Sequence, residues 1–199
     1  MIPRLLARGH RVRALVRKGA EGRLPSGCDV RIGDAVDAAT FSGAVAPADT
    51  FVQLVGTPHP SPAKAKEFVA VDLASVQASV SAASGAGVGH FVYVSVANPA
   101  PVMQAYIAAR TEGEARLAAA GLRATILRPW YVLGPGHRWP RFLVPFYALA
   151  ERLPPLRETA LRLGLVTIGQ MVSALVEAVE RGPQGVRIVD VPAIRAANG

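Results

Sequence analysis

The sequence predicts a three-layer α/β domain, a parallel sheet with helices on both faces. Three observations predict it. Short β-branched runs alternate with longer alanine-rich amphipathic stretches, the pattern of βαβ units. The strand candidates are near-continuous apolar runs, Phe51-Val-Gln-Leu-Val55 and Phe91-Val-Tyr-Val94, as expected when neither sheet face meets water. The 199 residues, 51% hydrophobic and 18% charged, suit one domain with a real core and exclude a disordered tail or a coiled coil.

In chain order, Met1–Arg8 reads as the last two turns of a helix, stopped by Gly9, which suits the left-handed position after a helix. Strands are expected at Arg11–Arg17, Asp29–Ile32, Thr50–Val55, His90–Ser95 and Arg123–Leu127. Helices are expected near Ala38–Val45, Lys64–Ser84 and Gln104–Ala120. The final third changes character. Trp139–Leu153 is aromatic and interrupted by proline, then Leu161–Ile168 and Val186–Val191 read as strands flanking a helix over Gln170–Arg181. No linker, repeat or low-complexity tract divides the chain, so residues 1–199 are expected to form one domain, with 138–199 as a C-terminal elaboration. A sheet of βα units ordinarily starts with a strand, whereas this chain starts with a helix tail. The expectation is therefore an N-terminally truncated sheet, short of about 15–25 residues by typical strand and loop lengths. The alternative is a short N-terminal helix and a sheet that starts at Arg11.

The formal charge is +8, and eight arginine and lysine residues fall within 1–31 against only Glu21 and Asp29. They are interleaved with Val12, Ala14, Leu15 and Val16 in a folded pattern, and no recognition helix, zinc finger or aromatic stacking signature follows. Nucleic acid is therefore not expected as a partner, and a local phosphate site is. No apolar run reaches the about 20 residues of a bilayer span, and the chain does not open on a charged-then-apolar signal. Cys28 is the single cysteine, and His10, His59, His90 and His137 show no metal spacing, so neither a disulfide nor a metal site is expected. The expectation is a soluble, cytoplasmic domain.

A series of short motifs then appears in order. It comprises Gly9-His10 before Val12-Arg-Ala-Leu-Val-Arg17, Gly33-Asp34 after the next strand, and Leu54-Val-Gly56 after the one following. Phe91-Val-Tyr-Val-Ser95, Tyr106-Ile-Ala-Ala-Arg110, Leu127-Arg-Pro129 and Gly134-Pro-Gly136 complete it. This series resembles the atypical, NmrA-like short-chain dehydrogenase/reductases and their extended, epimerase-like cousins. The resemblance implies a Rossmann-like sheet that binds NAD(P)(H) at the carboxyl ends of its strands, with residues 1–137 as cofactor-binding core and 138–199 on the substrate side. The family's glycine-rich turn after the first strand is not among these motifs. Gly85-Ala-Gly87-Val-Gly89 precedes a strand rather than following one, so it reads as a helix cap. In the usual strand order 3-2-1-4-5-6 this leaves a gap between the first and third strands seen here.

For the cofactor, the resemblance places Arg17 where NAD-dependent relatives carry an acidic residue, and an arginine there suits the 2′-phosphate of NADP(H) over NAD(H). Arg13 and Lys18 would add to the positive field; the alternative is a solvated basic surface. Asp34 would meet the adenine amino group or else cap a helix, a role for which Asp37 competes. Val55, Gly56 and Thr57 would line the adenosine ribose, or simply form a tight turn before Pro58. Pro129 would pass its backbone near the nicotinamide.

For chemistry, Tyr106 and Arg110 stand four apart, on one helix face. The family uses Tyr-x-x-x-Lys here: the phenol passes a proton to or from the substrate oxygen, and the lysine holds the nicotinamide ribose and lowers the phenol pKa. Arginine keeps the charge but has another shape and cannot release a proton. Ser95 would orient the substrate carbonyl. Trp130, Tyr131 and Trp139 either wall an apolar pocket or pack the C-terminal elements. Glu112 and Glu114 read as charge partners for Arg110 or Arg116. The implied function is an NADP(H)-dependent oxidoreductase or epimerase acting on a small carbonyl or hydroxyl substrate. The alternatives are a dinucleotide-binding sensor or assembly subunit without turnover, like the accessory subunit of respiratory complex I, and a truncated product with little function of its own. For the assembly-subunit alternative, Trp139–Leu153 would face a partner or a membrane surface.

Overall fold

The apolar runs form eight short strands in a computed structural model of the chain, which describes residues 1–134, 153–182 and 184–197. They are β1 (Arg13–Val16), β2 (Asp29–Ile32), β3 (Thr50–Gln53), β4 (His90–Val94), β5 (Ala124–Leu127), β6 (Tyr131–Leu133), β7 (Leu165–Thr167) and β8 (Val186–Val189). Every pairing among them is parallel. The ladders are β1–β2, β3–β4–β5–β8 and β6–β7. In register, Phe51 faces Phe91, Gln53 faces Tyr93, and Leu127 faces Val189. Among the described residues β1 pairs only with β2 and β3 only with β4, so the ladder is interrupted where the sequence predicts a gap.

The helices are α1 (Ile2–Ala7), α2 (Pro62–Gly85), α3 (Gln104–Ala119), α4 (Pro154–Arg162), α5 (Ile168–Glu180) and α6 (Val191–Ala196). Two apolar layers follow from strand alternation. Phe91 and Tyr93 of β4 join Ile126 of β5 against Val76 of α2 and Leu117 of α3. Val92 and Leu127 point the other way, against Met171 and Leu175 of α5 and Ile194 of α6. Met1 packs onto this second layer, and α1 is tied to α5 by Arg4 Nη1, which donates to Ser173 Oγ at 2.9 Å, and by the Arg8–Glu180 ion pair at 2.8 Å. Helix α2 has the length and composition of a bilayer span, but its Val76, Ala83 and Ser75 are fully buried between sheet and α3, as in the core helix of a globular domain.

The structure departs from the sequence reading in several places. Residues 38–45 form two 3₁₀ turns, Ala38–Thr40 and Ser42–Ala44, instead of a helix. The Thr40 hydroxyl donates to the Asp37 and Asp34 carbonyls and the Asp37 carboxylate accepts from the Ala39 N–H, which winds the segment too tightly for α-helix. Leu161 and Arg162 complete α4, a helix entered through Pro154, and the strand begins only at Leu165. Strand β6 and helix α6 have no counterpart in the predicted elements, being too short for a periodic signal. Helix α2 also contains a π-helical segment, Phe68–Leu73, which apolar periodicity does not reveal.

At the amino end of β4, His90 is buried between its neighbours, with Nε2 3.0 Å from Thr125 Oγ1 and Nδ1 3.4 Å from Thr50 Oγ1. Burial, then the charges of Arg123 and Arg187, lower its pKa. The unfolded chain therefore binds a proton that the folded chain resists, so stability falls as pH drops below the ordinary histidine range and levels off once the folded-state pKa is passed. His90→Gln should flatten this acid limb, whose limiting slope is about 1.4 kcal/mol per pH unit for one proton, in denaturant melts across mildly acidic pH.

Candidate functional site

Parallel strands gather their following loops at one end of the sheet. At the carboxyl ends of β3 and β4, three segments meet: the loop Leu54–Thr57, the π-helical turn of α2 and the first turns of α3. Tyr106 and Arg110 are stacked on α3 as their spacing requires, with Arg110 Cζ 5.2 Å from the Tyr106 ring centroid and 5.9 Å from that of Tyr93. Phe68, at the start of the π segment, packs against Tyr106 at 5.0 Å between centroids. Arg110 Nη1 donates to the Val94 carbonyl at 2.8 Å, and Nη2 donates to Asp72 Oδ1 at 2.5 Å. The Asp72 Oδ2 accepts from the Thr57 N–H at 3.0 Å and the Thr57 hydroxyl at 2.6 Å. The Arg110 and Asp72 side chains are 5% and 0% exposed, so this is a buried ion pair rather than a surface contact.

The pair shapes its surroundings. A Cβ at Gly56 would overlap the Arg110 guanidinium and stand 3.0 Å from Asp72 Oδ1. The Tyr106 phenol has a raised pKa, chiefly through burial; the Arg110 charge pulls it down and the Asp72 charge pushes it up. Burial likewise pushes the Tyr93 phenol up to about 12. Three buried polar atoms have no hydrogen-bond partner among the described residues: Gln53 Nε2, Ser95 Oγ and Arg110 Nε. All three lie where β3 and β4 end: Gln53 is paired with Tyr93, Ser95 follows β4, and Arg110 bonds the Val94 carbonyl. Buried polar atoms are normally satisfied, so this coincidence marks a polar locus.

After β1, Arg17 and Lys18 follow directly, exposed, and their side chains make no hydrogen bond or ion pair among the described residues. Gly33 donates to the Val16 carbonyl at 3.0 Å, which sets Asp34 just beyond the ladder, with its carboxylate accepting from the Val36 N–H at 3.1 Å. Asp37, not Asp34, caps the following 3₁₀ turn. Arg13 lies at the other end of β1. It pairs with Asp29 at 2.9 Å and donates to the carbonyls of Ala44, Val45 and Ala46, which stitches the strand to the 3₁₀ segment. Val55 donates to Gln53 Oε1 at 2.9 Å, and the Pro129 carbonyl accepts from Ala97 N–H at 3.0 Å, joining the loops after β4 and β5.

Three site residues escape sequence reasoning. Asp72 is legible only as a lone acid in the apolar stretch Val71-Asp-Leu73, and Gln53 as a lone amide in a buried strand. Arg128 pairs through Nε and Nη2 with Glu114, which is therefore not the partner of Arg110 or Arg116; Glu112 takes Arg116 at 2.7 Å. A cleft of about 360 Å³ opens beside Arg128 at the carboxyl ends of β5 and β8, lined also by Asn98, Arg162 and Asp190. Trp130 packs onto the C-terminal core and onto Leu163. Pro135, Gly136, His137, Trp139 and residues 140–152 lie outside the described residues. Among the described residues no cluster of histidine, cysteine and carboxylate side chains forms a metal site. Gly56→Ala should lower stability by about 1–3 kcal/mol in denaturant melts, because the added methyl must displace a guanidinium held at both ends.

Residues 1–137 match a family model described as NAD(P)H-binding. No curated protein matches the chain. Among solved structures, the enzyme WbmH of Bordetella bronchiseptica, in complex with NAD+, superposes with a TM-score of 0.68 at 17% identity, covering 95% of this chain and 70% of that one. MoeE5, in complex with UDP-glucuronic acid and NAD, gives 0.68 at 18% identity over 96% and 71%. The UDP-N-acetylglucosamine 4-epimerase of Bacillus cereus gives 0.66 at 14% identity over 95% and 72%. These likenesses establish the Rossmann-like fold.

Proposed function

The chain belongs to the NAD(P)H-binding family, and from that premise we propose that it is an NADP(H)-dependent oxidoreductase or epimerase acting on a small carbonyl- or hydroxyl-bearing substrate. The observation that carries this reading is the Tyr106 phenol packed against a cation at the end of β4, the same end at which the Ser95 hydroxyl is buried without a partner. The residues present fit the cofactor. Arg17 and Lys18 are uncommitted cations after β1, suited to a phosphate-bearing adenosine, with Val55–Thr57 toward its ribose and the Pro129 backbone toward the nicotinamide. When bound, NADP(H) supplies or accepts the hydride.

The chain's own residues do the rest. Tyr106 holds the proton that passes to or from the substrate oxygen, and the Ser95 hydroxyl orients that oxygen. Arg110 keeps a positive charge at the phenol ring, and its Nη atoms, engaged by Asp72 and Val94, hold it there. The cleft beside Arg128 and Asp190 offers both donors and acceptors, which suits a hydroxylated substrate. The sugar nucleotide bound by MoeE5 supports that substrate class.

A second reading, a dinucleotide-binding sensor or assembly subunit without turnover, is favoured by the same pairing: Arg110 is committed to Asp72 and the phenol is buried with a raised pKa. Tyr106→Phe decides between them. For an enzyme, NADPH oxidation against a carbonyl panel should fall by about 10²-fold or more while NADPH binding, read by fluorescence, is unchanged. A parent protein that binds NADPH yet turns over no carbonyl supports the sensor. Arg17→Ala should raise the Kd for NADPH by about tenfold and leave NADH nearly unaffected, as loss of one charge-assisted phosphate contact requires.

A further inference from the structure

Asp72 sits in the π-helical turn of α2, fully buried, and all of its described side-chain contacts run to two places: the Thr57 N–H and hydroxyl, and the Arg110 guanidinium. Arg110 in turn lies under the Tyr106 ring. We infer that Asp72 is a positioning residue for Tyr106: it fixes the guanidinium against the ring and offsets part of the charge that would otherwise draw the proton off the phenol. This inference rests on the reading of Tyr106 as the proton-transfer group.

The geometry supports it twice. First, among the described residues the charged and titratable groups that face Tyr106 are Arg110 on its own helix, Asp72 on α2 and Tyr93 on β4, so Asp72 is the one acid among them set against that cation. Second, the carboxylate is held by the Thr57 loop as well as by Arg110, so it cannot swing away when the guanidinium moves. An arginine alone at this position would act as a lysine-like activator; an arginine bound to a buried carboxylate presents a partly offset charge to the phenol. The protein keeps the cation's shape and hydrogen bonds but weakens its field. Asp72 thereby holds Tyr106 as a proton donor over a wider pH range than Arg110 alone would permit.

Opposite signs are the test, because a merely structural role would move both variants the same way. The full chain is titrated by tyrosine UV difference absorbance, within the pH range over which its circular dichroism is unchanged, and Tyr106→Phe identifies the Tyr106 step. Asp72→Asn should move that step to lower pH and Arg110→Met to higher pH, with the double variant between them. If Asp72→Asn does not fold, Arg110→Met against the double variant reads the same quantity, and the step should lie lower in the double variant. Both single variants shifting in one direction, or no difference between Arg110→Met and the double variant, overturns the inference. The titration uses neither cofactor nor substrate. Absence of turnover would therefore count against the enzyme reading alone, and an unmoved Tyr106 step against this inference alone while NADPH binding stands.

Discussion

The site depends on one interaction, the buried ion pair between Arg110 and Asp72. Two charges taken out of water are tolerable only when they pair closely and their remaining donors and acceptors are used, and removing one partner of such a pair typically costs 3–5 kcal/mol. Here Thr57 fills the second carboxylate oxygen and the Val94 carbonyl takes a second guanidinium nitrogen. That arrangement dictates its neighbours. Position 56 must lack a side chain, the helix carrying Asp72 opens into a π turn at that point, and Tyr106 packs against both Phe68 and the guanidinium. One ion pair thus locks the loop after β3, helix α2 and helix α3 into a single body, and Tyr93 backs it from the sheet.

The parallel sheet explains why these pieces meet at all. Strand alternation sends Phe91 and Tyr93 toward α2 and α3 and sends Val92 toward α5, so each helix is held by an apolar row. Once those layers exist, the loops that follow β3 and β4 have nowhere to go but the common carboxyl end. The site is therefore a by-product of hydrophobic layering, and its polar chemistry is added at a place already built. The α1 helix shows the same order of causes. Met1 and Leu5 are drawn onto the core, and the bonds of Arg4 and Arg8 to α5 then use charges that apolar packing has brought near.

What could be read from the sequence follows this division. The core strands were legible because buried parallel strands write themselves as apolar runs, and α2, α3 and α5 because their length leaves a repeated pattern. The 38–45 segment was not, since side-chain bonds from Asp37 and Thr40 override a helix-like composition. Strands β6 and β7 were missed or shifted because three residues carry no period. Around the Arg110–Asp72 pair, the stacking of Tyr106 and Arg110 on one helix face was visible through their spacing. Asp72, Gln53 and the Glu114–Arg128 pair were not, because each is defined by a partner distant in the chain. A local pattern suggested Arg110 or Arg116 for Glu114, and the three-dimensional neighbour, Arg128, won. Arg13 carries the opposite lesson: its charge suggested phosphate, yet it lies at the strand's other end, consumed by Asp29 and three carbonyls.

The remaining asymmetry lies between the two halves of the site. Asp72 is saturated, with hydrogen bonds to both carboxylate oxygens, whereas Gln53, Ser95 and Arg110 each leave a buried atom unpaired. Two of these, the amide nitrogen of Gln53 and Nε of Arg110, only donate, and the Ser95 hydroxyl both donates and accepts. A locus in which donors predominate next to a paired acid is better matched by oxygen acceptors than by a cation. Carbonyl, hydroxyl and ribose oxygens are such groups, and each would recover hydrogen bonds that the folded chain alone forgoes. Because Arg110 belongs to both the ion pair and the unpaired donors, a ligand oxygen that engages its Nε also touches the element on which the placement of Tyr106 depends.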